Sequence, residues 1–277
     1  MLKVCILFWT ATILGPLLGA SAFANVIGAD DRRPITEAYQ ALGFDMVDML
    51  RTRQSTGFVY CPGTVYGNPL RTSGALVNDN QVVVTNGHSF VDEHGRRREP
   101  LSECYFQTQG MTPEVMRFNF TAGNFEMTED WAKHRDRNDY AVVRLLAPLK
   151  YGRAFPLAAT EDYFRGRSFV LVSAKPHRRH APFTDQEPIV QSCQVRHIFE
   201  GNSNYNTVFK GDCDVSVGAS GSVGLVNVNG RWKAFSVVSG RGIDQLDGQP
   251  YSLESGSFSF HTPYRDGLLA AILRLSR

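Results

Sequence analysis

The sequence predicts an all-β fold of two antiparallel barrels with a C-terminal helix. Three observations carry this. Short strand-like runs recur through most of the 277 residues, Gly, Asn, Asp and Pro punctuate them, and helical periodicity is confined to two segments towards the ends. Runs spaced this way build sandwiches or barrels, whereas parallel sheets need strands that alternate with helices. Taken in order, the first periodic segment is 35–51, where Ala38, Ala41, Leu42, Met46 and Met49 or Leu50 recur at mixed three- and four-residue intervals. Strand-like runs follow at 57–60, 74–77, 81–85 and 140–145, then at 169–173, 189–196, 208–210, 223–228 and 232–239. The second periodic segment is 265–275, whose Leu268, Leu269, Ala271, Ile272 and Leu275 make one apolar face. Both periodic segments are expected to pack on the main body. The halves divide near Pro148 and Pro156 into units 25–150 and 151–277, and about 250 residues suffice for two compact barrels.

Residues 1–24 carry Lys3, an apolar run from Val4 to Leu18 and the small-residue pattern Ala20-Ser21-Ala22-Phe23-Ala24. That is the build of a cleavable secretory signal, with cleavage expected after Ala24. No later segment approaches the roughly 20 apolar residues that cross a bilayer, so the expectation is a secreted or periplasmic protein with no membrane contact in its mature form. Removing the signal removes Cys5 and leaves Cys61, Cys104, Cys193 and Cys213. In an oxidising compartment these permit two disulfides in three connectivities. The favoured one pairs Cys61 with Cys104 and Cys193 with Cys213, keeping each bond within one half of the chain.

A formal net charge of +2 points to no strongly charged partner. The Arg96-Arg97-Arg98 cluster and the stretch Lys175-Pro176-His177-Arg178-Arg179-His180 read as solvated loops rather than the continuous basic stripe that nucleic acid requires. His177 and His180 have a spacing that could share a metal, but no further ligand stands nearby, so neither metal nor cofactor is expected. A monomer is expected.

The chemistry-bearing residues are a glycine-bracketed serine, a histidine and an aspartate. Ser220 stands in Gly218-Ala219-Ser220-Gly221-Ser222, His88 closes the β-rich run 81–88, and Asp139 opens the run 139–145. A serine hydroxyl is a poor nucleophile until a base removes its proton, and the base needs a carboxylate to hold its tautomer. The backbone N–H groups of Gly218 and Ser220 stand where donors to a developing oxyanion are needed, and a glycine at 218 allows a loop shape that a Cβ would obstruct. Taken singly, Ser220 is an ordinary turn residue, His88 a hydrogen-bonded core histidine and Asp139 a strand-initiating residue. Their joint order carries the weight.

Three blocks extend that reading. Ser73-Gly74-Ala75-Leu76-Val77 followed by Val82 to His88, then Asn138-Asp139-Tyr140-Ala141-Val142-Val143-Arg144-Leu145, then Gly218-Ala219-Ser220-Gly221-Ser222 resemble, in order, the signature blocks of the chymotrypsin-fold (PA clan) serine peptidases. Within them the chain is similar to the bacterial trypsin-like and glutamyl-endopeptidase branch. The segment Asn25 to Arg33 also resembles mature N-termini of that branch. The resemblance implies an exported serine endopeptidase acting on protein or peptide substrates through a Ser220, His88 and Asp139 triad and an acyl-enzyme. Asp214 lies six residues before Ser220, where trypsins keep a carboxylate at the base of the primary pocket, and Ser239 and Arg241 lie where the pocket edge would run. Asp214 would favour Arg or Lys, whereas Arg241 would attract an acidic side chain. Three departures stand out. Ala219 replaces the aspartate that animal trypsins pair with a freed N-terminus, Thr72 and Ser89 stand where a disulfide would flank the histidine, and Val223 replaces a proline. The alternative reading is a catalytically silent homologue that uses the double barrel as a binding module. An α/β-hydrolase is excluded by the missing strand-helix alternation and by Ser222, which stands in place of the last glycine of a nucleophile elbow.

Overall fold

A computed structural model describes residues 31–65, 68–92, 94–127, 139–162, 164–174, 187–201, 207–215, 218–241 and 259–277. The expected signal segment, His177, His180 and Asn138 lie outside these residues. The described chain opens with strand β1 (Arg33–Pro34) and helices α1 (Ile35–Ala38) and α2 (Met46–Ser55). The single helix expected over 35–51 is therefore two. Gly43 adopts φ 83°, and the next residue, Phe44, leaves the helical path to stack on Trp232 at 4.2 Å. Asp45 then starts a new helix by accepting the Asp48 N–H at 2.7 Å, which satisfies one of the N–H groups that a helix start leaves unpaired.

The first barrel is built from β2 (Thr56–Val65), β3 (Asn68–Leu76), β4 (Val82–Thr85), β5 (Tyr105–Thr108), β6 (Val115–Asn119) and β8 (Ala141–Leu145), with β7 (Phe125–Met127) added alongside β8. The pairing order β4-β3-β2-β5-β6-β8 closes because β4 also pairs with β8. The second barrel uses β9 (Ser168–Ser173), β10 (Ile189–Phe199), β11 (Val208–Gly211), β12 (Val223–Val228), β13 (Arg231–Arg241) and β14 (Ser259–Pro263). Its order β10-β11-β14-β13-β12-β9 closes through a β9–β10 pairing. Each barrel is thus a closed ring of six antiparallel strands, which leaves the ring without an unpaired edge. Disulfides join Cys61 to Cys104 in the first barrel and Cys193 to Cys213 in the second.

The described residues form three apolar cores. Val59, Val83, Phe106 and Leu145 help fill the first barrel, and Phe169, Leu171, Phe209 and Phe235 help fill the second. A third core lies between them, with Val82, Val84 and Val142 from the first barrel meeting Val172, Val223 and Val237 from the second. Strand β4 shows how one run serves two cores. Successive side chains point to opposite faces, so Val83 enters the first barrel while Val82 and Val84 enter the shared core.

The ends of the chain cross over between the barrels. Strand β1 pairs with β10 of the second barrel, and the Ile35 N–H donates to the Pro188 carbonyl at 2.9 Å. Helix α3 (Asp266–Leu275) follows the second barrel but packs on β8 of the first, with Leu268, Ala271, Ile272 and Leu275 in the shared core. Arg274 on α3 pairs with Glu126 on β7, and the Arg144 guanidinium donates to the Leu275 carbonyl. Among the described residues no helix is long and apolar enough to cross a membrane.

Candidate active site

Strand pairing brings the histidine and the aspartate together. Strands β4 and β8 are antiparallel with Thr85 opposite Ala141, so His88, three residues past Thr85, and Asp139, two residues before Ala141, emerge at the same end. A 3₁₀ turn over Gly87–Ser89 presents the imidazole. The buried Asp139 carboxylate accepts twice from His88: Oδ1 from the backbone N–H at 2.9 Å and Oδ2 from Nδ1 at 2.7 Å. A proton on Nδ1 leaves Nε2 as the acceptor, the tautomer a general base needs. The His88 side chain stays 30% exposed, so its outer nitrogen can be reached.

Beneath the imidazole, hydroxyls take the place of a covalent bond. Thr72 Oγ1 and Ser89 Oγ lie 2.6 Å apart and fully within the protein, and Ser89 Oγ also donates to Asn86 Oδ1 at 2.9 Å. The pair joins β3 to the histidine turn and stands in place of the disulfide of the peptidases that the sequence resembles.

Ser220 arrives from the second barrel on a turn that is pressed against the first. The Ser73 N–H on β3 donates to the Ser220 carbonyl at 2.8 Å, and Ser73 Oγ donates to the Gly218 carbonyl at 3.0 Å. Gly221, at φ 82°, is tightest of all. A Cβ there would meet the Ser73 carbonyl oxygen at 2.0 Å and Thr85 Oγ1 at 2.4 Å, so no side chain fits. The Gly221 N–H donates to the Val238 carbonyl at 2.9 Å, and Ser222 Oγ donates to Ser173 Oγ at 2.7 Å. These contacts set Gly221, next to Ser220, beside Thr85, three residues before His88. No hydrogen bond joins Ser220 Oγ to His88, and in a substrate-free site such bonds often close only when substrate arrives. The backbone N–H groups of Gly218, Ala219 and Ser220 have no acceptor among the described residues.

Asp214 is buried one residue past Cys213. The Gln191 side chain on β10 grips its main chain at both ends, with Oε1 accepting the Asp214 N–H at 2.9 Å and Nε2 donating to the Asp214 carbonyl at 2.6 Å. Ser239, near the end of β13, is buried and donates to the Phe260 carbonyl at 3.2 Å. Arg241 ends β13 opposite Ser259, and its side chain lies outside the described atoms.

Behind that strand pair stands a histidine that the sequence did not single out. His261 on β14 is fully buried, stacks on Phe209 with ring centroids 4.6 Å apart, and shares a 2.8 Å hydrogen bond with Ser259 Oγ. Burial penalises its charged form and pushes its pKa down to about 3. It stays a neutral core residue. Gln191 and Ser73 were also missed as site-shaping residues. Ser73 opens the first signature block, where it reads as one more strand residue, and Gln191 sits inside a β-rich run. A polar side chain facing inward is visible only once the strands are paired. Among the described residues no group of three or more His, Cys, Asp or Glu could hold a metal ion.

The family described as trypsin-like peptidase domain matches residues 72–234, a span that includes His88, Asp139, Asp214 and the Gly218 to Ser222 turn. Among solved structures, the chain is similar to a thermostable serine protease, AL20, from an extremophilic microorganism. That likeness has 19% identity and a TM-score of 0.58, and covers 81% of this chain and 97% of that one. At this identity it speaks for the fold. A comparison with curated proteins found no match.

Proposed function

We propose, from the premise that this chain belongs to the trypsin-like peptidase family and has its chymotrypsin-like double barrel, that it is an exported serine endopeptidase with His88, Asp139 and Ser220 as its triad. One observation carries this most. The Asp139 carboxylate grips His88 at both ring and backbone, at 2.7 and 2.9 Å, leaving Nε2 directed away from it. In the reaction Ser220 Oγ attacks the substrate carbonyl carbon while His88 Nε2 takes the hydroxyl proton, and Asp139 stabilises the resulting imidazolium. The carbonyl oxygen, now negative, accepts from the N–H groups of Gly218 and Ser220. Collapse breaks the C–N bond, and the departing amine leaves with the proton from His88. Water, deprotonated by His88, then attacks the Ser220 acyl ester, the C–Oγ bond breaks as His88 returns the proton to Ser220 Oγ, and the acid is freed. No cofactor enters any step. The two disulfides fit an oxidising, secreted or periplasmic setting.

The test is labelling by a fluorophosphonate. Ser220 should carry the label, and Ser220→Ala should lose both label and peptide turnover while keeping its fold. A labelled protein whose modified residue is not Ser220 overturns the mechanism, and an unlabelled protein favours the silent binding module. For specificity, buried Asp214 is the floor of the primary pocket and takes Arg or Lys, because a cationic side chain there gains a charge-assisted bond to the carboxylate that neutral and acidic side chains cannot form. A P1-scanning peptide library should show this preference and lose it in Asp214→Ser. Cleavage after Glu, with Arg241→Ala as the sensitive variant, would assign the pocket to Arg241 instead.

A further inference from the structure

We propose that Ser73 is a positioning residue for this reaction, a two-point clasp that holds the oxyanion-side backbone in shape. The inference rests on the catalytic reading of Ser220 above. Ser73 lies on β3 in the first barrel and is fully buried, yet it reaches the second barrel with both its main chain and its side chain. The turn from Gly218 to Ser220 is held at two carbonyls, one at each end. Ser73 Oγ donates to the Gly218 carbonyl at 3.0 Å, and the Ser73 N–H donates to the Ser220 carbonyl at 2.8 Å. The Ser220 N–H lies between these two anchors and the Gly218 N–H immediately before the first, and neither has an acceptor among the described residues.

The direction of the Ser73 hydroxyl is determined. The Ala174 N–H donates to Ser73 Oγ at 3.0 Å, so the hydroxyl proton is left to the Gly218 carbonyl. The chain from Ala174 N–H through Ser73 Oγ–H to Gly218 is a line of bonds that polarise one another in a dry interior. The Ser73 carbonyl is engaged as well, accepting from Thr85 Oγ1 at 2.7 Å. One residue thus ties β3, β4, the end of β9 and the nucleophile turn together.

Within the turn one bond closes, from the Ser222 N–H to the Ala219 carbonyl at 2.9 Å, and the turn's far end is tied to the second barrel through Gly221 and Ser222. Gly218 and Gly221 carry no side chain and sit at φ 96° and 82°. Ala219 offers a methyl group, which cannot form a hydrogen bond or ion pair. The peptide unit that carries the Gly218 carbonyl lies between the two donor units, so its orientation constrains both, and the side chain of Ser73 supplies one of the two bonds that fix the Gly218 and Ser220 carbonyls to the first barrel.

The experiment compares Ser73→Ala and Ser73→Cys with the wild-type protein. The cysteine keeps the approximate volume and donates only weakly. The readouts are kcat and KM on one peptide substrate, the affinity for a peptide aldehyde, the affinity for a non-covalent peptide ligand that has no reacting carbonyl, and Tm. The aldehyde adds Ser220 Oγ to its carbonyl carbon and places a hemiacetal oxygen on the same N–H groups. Loosening a donor costs less than deleting one, so kcat should fall roughly 10- to 100-fold in Ser73→Ala. Aldehyde affinity should fall in step with kcat, while KM and the non-covalent ligand stay near wild type. Ser73→Cys should fall between the two, and it carries the same expectation if the alanine variant does not fold. A lowered Tm with unchanged kcat and aldehyde affinity would make Ser73 a purely structural residue and overturn the proposal, as would a loss confined to KM. A wild-type protein that neither labels at Ser220 nor cleaves peptides removes the catalytic reading and this one with it. An active wild type with unaffected Ser73 variants removes this one alone.

Discussion

The two barrels hold their parts of the site by different means. The first presents side chains locked to side chains: Asp139 on His88, Thr72 on Ser89, and Ser89 on Asn86. An edge-to-face cluster of Phe90 with Phe118, Phe120 and Phe125 underlies the histidine turn. The second barrel presents main chain locked to its surroundings: the carbonyls of Gly218 and Ser220 on Ser73, and the N–H of Gly221 on Val238. Substitutions near His88 should therefore act through the identity of an atom, and substitutions near Ser220 through the shape of the backbone. The interiors differ too, since the second barrel keeps a neutral histidine where the first is filled by apolar side chains.

The sharpest way to break this comparison is Asp139→Asn. An amide keeps the shape of the carboxylate but favours the wrong imidazole tautomer, and kcat should fall about 10⁴-fold with Tm little changed. Steady-state kinetics and a melting curve would decide, and a loss below tenfold would show that the first barrel does not act through that atom.

Next in size is the acid response of His261. Its folded pKa of about 3 lies below the ordinary 6.5, because burial excludes the charged form. Between those two values the unfolded chain takes up a proton that the folded chain refuses. The contribution of His261 is thus fully present above pH 6.5 and is lost progressively as pH falls towards 3. His261→Phe should flatten the dependence of Tm on pH between 6 and 4. An unchanged slope would move the acid sensitivity to other groups and erase the contrast between the interiors.

The smallest effect expected is a gain. With hydroxyls 2.6 Å apart, Thr72→Cys combined with Ser89→Cys should oxidise to a disulfide, raise stability by about 3 kcal/mol and leave turnover intact. Non-reducing peptide mapping and melting would show it. A pair that stays reduced, or that forms at the expense of activity, would mean that the histidine turn depends on its hydroxyl network rather than on a simple tie.

Much of this architecture could be read in the residues. Strands at 82–85, 141–145 and 223–228 announce themselves through consecutive Val, Ala and Leu, because each is buried on both faces. Strands β5, β6, β7 and β14 do not, since they run only three to five residues and mix Gln, Arg, Glu, Ser and His with their apolar positions. The helix expected over 35–51 was misread because its three- and four-residue spacing runs through Gly43 without showing that Phe44 is drawn to Trp232, 188 residues later in the chain. At the site, motif blocks single out His88, Asp139 and Ser220 because chemistry restricts those residue types. Ser73, Gln191 and the Thr72 to Ser89 contact escape notice, because their value depends on which distant carbonyl or hydroxyl the fold brings within 3 Å.

The crossed ends of the chain have a consequence for how the protein can be taken apart. Strand β1 is made in the first half and pairs onto β10 of the second barrel, while α3 is made in the second half and packs on β8 of the first. If the chain is cut between Pro148 and Pro156, each piece leaves behind a part that the other lacks and exposes its own share of the core between the barrels. The two pieces would then be mutual chaperones, each poorly folded alone and each the natural ligand of the other. Co-expression of the two fragments should restore what neither shows by itself.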